Sequence, residues 1–328
     1  MRLSLKAAGV LAAACIAVAT AACAQIPAAT LTAGNADLQA GEADKAIALL
    51  SPLPATGAGA DEAQNLLCRV RFTLQQWSQA ATECQQAVTL SGQNSVYHMW
   101  LGRVLGQQAS HASFFSAYGL AKKSLAEMQA AVQADPKNVD AMADLGDYYA
   151  QAPGIAGGGA DKAAAVATQM AAVDPARASQ LRGDIALAAK DYTTAEQDYK
   201  QAIGLKTDPS DLWTVLAAFY KGRQQWSDLD SAIQSCVAAA AKNKDTGVAL
   251  YDAAGVLIAS KRNPQLAAQL LEQYLSGSQL TEDAPAFVAH IRLSRLKQQL
   301  GDAAGAQQEL AAAASLAKEF NPSQDPAP

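Results

Sequence analysis

The sequence predicts an all-α chain of about eight stacked helix hairpins, and three observations carry that expectation. Half of the 328 residues are apolar but only 6% are aromatic. Alanine runs through every segment, and no stretch alternates with the period of two that a strand requires, so intrinsic propensity favours helix almost throughout. Small residues recur at Gly34, Cys68, Gly102, Gly146, Gly183, Ala217, Gly255 and Ser294, at intervals of 34 to 44 residues. Each is followed by a second position, at Ala46, Ala80, Ser124, Ala163, Ala195, Leu229, Ala267 and Ala306, and in six of the eight pairs it lies twelve residues on. Two antiparallel helices joined by a tight turn come closest at one point, and small side chains there let the backbones approach.

Taken in order, residues 1–24 read as a secretory signal. Arg2 and Lys6 precede an apolar run from Ala7 to Ala22 that is too short and too rich in alanine for a stable membrane span. Cleavage after Ala24 satisfies the small-x-small rule through Ala22-Cys23-Ala24. The alternative is lipidation at Cys23, since Thr20-Ala21-Ala22-Cys23 resembles a lipobox, although leucine is usual where Thr20 stands. A membrane association is expected only in that second case. Otherwise the product is periplasmic or secreted, and its cysteines meet an oxidising compartment.

Residues 25–320 hold the hairpins. The pairs Gly34/Ala46 and Cys68/Ala80 keep the twelve-residue rule; the next two break it. Gly102 and Ser124 are separated by ten residues more, with the insert Ser110-His111-Ala112-Ser113-Phe114-Phe115-Ser116-Ala117-Tyr118, and Gly146 and Ala163 by five more, with Gln151-Ala152-Pro153-Gly154-Ile155-Ala156-Gly157-Gly158-Gly159. Both inserts are expected to lengthen a turn. Equivalent turns in a solenoid share one edge, so the inserts should touch, and function is expected around Phe114, Phe115, Tyr118, Pro153, Gly154 and Ile155. The last four hairpins return to the rule. Residues 321–328, Asn-Pro-Ser-Gln-Asp-Pro-Ala-Pro, are expected to form a disordered tail.

The period and the order of small and large positions resemble the tetratricopeptide repeat (TPR) family, with the best copies at Gly183 to Ala202 and at Trp213 to Cys236. Leu101-Gly102-Arg103, the lengthened third hairpin and the turn Ala152-Pro153-Gly154-Ile155-Ala156-Gly157-Gly158 narrow the likeness to secreted bacterial members. The resemblance implies a right-handed α-solenoid whose first helices line a concave groove, and by position it puts Arg69, Phe72, Arg103 and Asp147 in that groove. Arginine's planar donor fork and the Phe72 ring suit an extended peptide or a carboxylate. Cys68 stands at the small position of one helix and Cys84 at a large position of its partner, so a disulfide is expected across the seam, with Cys236 in the core.

The sequence offers little chemistry. The glycine run before Asp161-Lys162 fails as a phosphate loop, because Ala160 and Asp161 intervene and Asp161 is anionic. His98, His111 and His290 are scattered, with no metal-ligand spacing, and no Gly-x-Ser-x-Gly elbow occurs. No cofactor is expected. A net charge of −5 without basic runs disfavours nucleic acid. A non-enzymatic scaffold for a protein or peptide is therefore the leading expectation. An accessory solute-binding or oligomeric component of a transport system is the alternative.

Overall fold

The structure, a computed structural model, describes residues 25–244 and 247–325; the expected signal segment, with Cys23, and residues 326–328 lie outside the described residues. The described residues form sixteen α-helices and no strand, arranged as an α-solenoid of eight hairpins. These are α1 (Ala28–Gln39) with α2 (Ala43–Leu50), α3 (Ala60–Thr73) with α4 (Trp77–Leu90), α5 (Ser95–Ser110) with α6 (Phe114–Ala134), and α7 (Val139–Gln151) with α8 (Ala160–Met170). Then follow α9 (Pro175–Ala188) with α10 (Tyr192–Leu205), α11 (Ser210–Gly222) with α12 (Trp226–Asn243), α13 (Val248–Ala259) with α14 (Pro264–Ser276), and α15 (Ala286–Gln299) with α16 (Ala303–Leu316).

The small residues meet where the helices cross. The Ser124 hydroxyl donates to the Gly102 carbonyl at 2.7 Å, and that of Ser294 to the Ala306 carbonyl at 2.8 Å. A Cβ on Gly183 would lie 2.5 Å from the ring of Tyr199, so nothing larger fits unless that buried ring moves. Six of the eight first helices end in the same way. Gly41, Gln75, Lys190, Gln224, Lys261 and Gly301 take positive φ, and the next amide bonds back to a carbonyl five residues earlier, as Gln76 does to Arg71 and Asp191 to Ala186. This Schellman closure satisfies two otherwise orphaned carbonyls and turns the chain within three residues, or four between α13 and α14.

The two exceptions are the hairpins with inserts, and they depart differently. The first insert does not lengthen the turn, as expected from residue counts; it adds helix. α5 runs on to Ser110 and α6 begins at Phe114 with 21 residues, leaving only residues 111–113 between them. The second is a real loop. After Gln151 the chain makes a 3-10 turn at Gly154–Ala156 and reaches α8 through Gly157, at φ 98°, and Gly158, where a Cβ would fall 1.8 Å from the Ala152 carbonyl oxygen.

The superhelix returns far enough for its ends to meet. The backbone N–H of Lys318 donates to the carboxylate of Asp44 at 3.2 Å, Gln76 Nε2 donates to Glu319 at 2.9 Å, and Gly41 packs against Ala286 closely enough that a Cβ would lie 2.7 Å from its nitrogen. One hydrophobic cluster accordingly holds Leu38 and Leu50 together with Phe287, Ala313 and Phe320. Residues 321–325 stay on α15, and the buried Asp325 carboxylate pairs with Arg292 at 3.1 Å and Arg295 at 2.8 Å.

Candidate functional site

The inserts do come together. The first turns of α6 carry Phe114, Phe115 and Tyr118, and the α7–α8 loop brings Pro153, Gly154 and Ile155 beside them. Phe114, Phe115, Tyr118, Pro153 and Ile155 line a cavity of about 630 Å³ whose walls are mostly apolar, while Gly154 is not among its lining residues. Phe115 is 89% exposed, Phe114 77%, Ile155 73% and Tyr118 44%, so this ledge is not the seam of a packed hairpin. Phe114 and Phe115 meet edge to face at 5.8 Å. The loop is held from behind. The Tyr148 hydroxyl on α7 lies 3.0 Å from the Ala121 carbonyl oxygen and 2.8 Å from that of Ala156, sharing its proton between them, and Lys162 Nζ donates to the Gly157 carbonyl at 2.7 Å.

A second cavity, of about 650 Å³, opens on the concave side and shares Ala109, Ser110 and Ala121 with the first. Phe72, Arg103 and Asp147 all line it, as their positions imply. Phe72 is a wall rather than a free platform, packed edge to face on Trp77 at 5.1 Å and on Trp100 at 5.3 Å. Arg103 stacks on Trp100 at 4.8 Å and gives its fork to Asp144, Nε to Oδ2 at 2.6 Å. Among the described residues the Asp147 carboxyl has no hydrogen bond and no ion pair. Burial, with Asp184 and Asp144 nearby, pushes its pKa up to about 7, against the weaker pull of Arg177. The Asp184 carboxyl is raised for the same reason, burial, and is steadied by the Tyr199 hydroxyl, which donates to it at 2.7 Å.

Arg69 is not available in the way its position suggests. Its guanidinium closes on Glu282, Nε to Oε2 at 2.9 Å, and Gln39 brackets the same carboxylate, donating from its side chain and accepting from the Glu282 amide at 3.2 Å each. The arginine and glutamate side chains are only 17% and 9% exposed. Glu282 belongs to the connection between α14 and α15, residues 277–285, which enters the concave side; beside it, Asp283 feels the charges of Arg69 on α3, Arg103 on α5 and Asp140 on α7. Reasoning from sequence missed this occupant. The nine-residue connection, long for a solenoid and bearing Thr281-Glu282-Asp283, was its only signal.

Cys68 and Cys84 form the expected disulfide across the α3–α4 seam, with Cα atoms 5.2 Å apart, and both are fully buried. Cys236 is buried on α12, its thiol 3.7 Å from the Ala249 carbonyl oxygen. No helix of the described residues is long and apolar enough to cross a membrane.

No family model matches the chain, and no curated protein does. Among solved structures it is similar to a thermophilic TPR protein of Thermus thermophilus, with a TM-score of 0.48 and 18% identity over 58% of this chain and 97% of that one. It is also similar to a tetratricopeptide repeat protein of Parabacteroides merdae, with a TM-score of 0.44 and 12% identity over 82% of this chain and 98% of the other. A third is the C-terminal part of a TPR repeat-containing protein of Cytophaga hutchinsonii, with a TM-score of 0.42 and 13% identity over 77% and 97%.

Proposed function

We propose that the chain is a non-enzymatic scaffold that binds a protein or peptide partner in the bacterial envelope, and that the partner seats on the ledge where the two inserts meet. The exposure of Phe114, Phe115, Tyr118 and Ile155 on one face of a cavity carries this reading. Leaving a large apolar side chain in water forgoes roughly 1.5–3 kcal/mol, and a contiguous patch of them marks an interaction surface rather than scattered surface residues. The solenoid supports it by holding the ledge on two helices longer than their neighbours and on a loop tied down by Tyr148 and Lys162. The disulfide and the signal-like first residues support an oxidising, extracytoplasmic compartment. Capture from an envelope extract tests the reading. The wild-type chain should retain a defined set of proteins that the Phe115→Ser/Tyr118→Ser variant loses, with little change in melting temperature because these rings pack on little. Retained capture together with a large fall in melting temperature would show that the inserts only brace the fold.

A further inference from the structure

We infer that the ledge and the concave cavity beside it form one bipartite site for an extended peptide segment carrying a large apolar side chain and, about three residues away, a lysine or arginine. The inference rests on the ledge being a binding surface and adds the chemistry of what binds.

Continuity comes first. The two cavities, of about 630 and 650 Å³, share Ala109, Ser110 and Ala121, so a chain lying in one leads into the other. Spacing comes next. Gln151 stands one helical turn beyond Asp147, about 6 Å along α7, and Pro153 follows two residues later. The apolar and acidic ends are thus about 10 Å apart, which an extended peptide spans in about three residues.

Charge then selects the second group. Asp147 is faced by Asp144 and Tyr148 on its own helix, by Arg103 across the cavity, by Asp184 and Arg177 on α9 and by Tyr199 on α10. The cations among these are already engaged. Arg103 is held by Asp144 and Trp100, while Arg177 Nη1 donates to Gln180 at 2.9 Å and Nη2 lies 3.9 Å from Asp140. Asp184 has the Tyr199 hydroxyl. What remains facing the cavity is one half-buried carboxyl with no partner among the described residues. Burial, with Asp184 and Asp144 nearby, disfavours its charged form, and an entering ammonium or guanidinium group would supply the countercharge that offsets them. Binding should therefore release a proton and tighten as pH rises through 7.

Three dansylated tripeptide amides of one frame, dansyl-Ala-Ala-Lys, dansyl-Ala-Ala-Gln and dansyl-Ala-Ala-Glu, test this by fluorescence titration on the full mature chain. The expected result is that at pH 8 the lysine probe binds at least tenfold more tightly than the glutamate probe. That preference should collapse at pH 5.5 and be absent from Asp147→Asn at both values, while Phe115→Ser/Tyr118→Ser weakens all three probes together. Equal binding of the three, still dependent on Phe115 and Tyr118, would overturn the cationic half and leave the ledge standing. Tighter binding of the glutamate probe would overturn it too, making Arg103 the reader. Binding that ignores Phe115 and Tyr118, or no binding at all, would overturn both readings.

Discussion

Asp252 on α13 shows at the scale of one residue how the concave interior trades stability for charge. Burial is the largest influence on its carboxyl and raises the pKa to about 6; Arg292 opposes, and Asp283 and Asp211 reinforce. In the unfolded chain the same group titrates near 3.9. Between those two values the folded chain holds a proton that the unfolded chain has lost, so stability falls as pH rises from about 4 to 6 and is level above. The difference is on the order of 2–3 kcal/mol. Asp252→Asn mimics the protonated form, and should raise the melting temperature relative to wild type at pH 8 with little difference at pH 4. Thermal scans at both values check this, and an equal effect at the two would show that the carboxyl is not strained by burial. No local pattern announces such a residue, because its neighbours come from α11, α15 and the 277–285 connection. Arg69 teaches the same point. Its groove position was legible from the repeat, whereas the carboxylate that fills its fork lies 213 residues away.

At the scale of the element, the hairpin was the most legible unit, since paired small residues twelve apart state where two helices cross. The turn that closes it is less economical than the crossing. Lys190, Gln224 and Lys261 occupy a left-handed position that glycine takes at Gly41 and Gly301, and an L side chain there costs about 1 kcal/mol or more. These three side chains are exposed and contribute little packing. Lys190→Gly and Gln224→Gly should each therefore stabilise the chain by about 0.5–1 kcal/mol after the added freedom of the unfolded state is subtracted. Denaturant midpoints read this, and a loss of stability in both variants would mean that the Schellman turn is not the resting geometry. The inserts mark where legibility stops. Ten extra residues between Gly102 and Ser124 can become loop or helix, and the stretch from Phe114 to Ala134 has no proline to forbid helix, so the count alone misassigned it. The second insert was readable because Pro153 and the glycine run leave no helical option.

At the scale of the whole molecule, the closing of the superhelix changes how the stack holds together. An open solenoid is a sum of nearest-neighbour interfaces and can fray from either end. Here the last hairpin also touches the first two through Glu319 and Gln76, Lys318 and Asp44, and Ala286 and Gly41, while Glu282 ties α3 and α1 to the connection before α15. This closure was not legible in the sequence, because it is the accumulated product of small rotations at every hairpin, two of them altered by the inserts. The Arg69–Glu282 pair is less exposed than Arg71–Glu319, the other ion pair that bridges the ends, and removing one partner strands a buried charge at a cost of roughly 3–5 kcal/mol. Glu282→Ala should therefore increase the radius of gyration in solution scattering, make the 277–285 connection sensitive to protease, and broaden the unfolding transition as the terminal hairpins uncouple. Far-UV circular dichroism should stay unchanged, because each hairpin keeps its own seam. The double variant Arg69→Met/Glu282→Leu, which removes both charges and keeps apolar volume, should recover much of the lost stability. If Glu282→Ala leaves scattering, proteolysis and cooperativity as they are, the ends are held by the apolar contacts of Phe287, Ala313 and Phe320, and the ion pair only fills the groove.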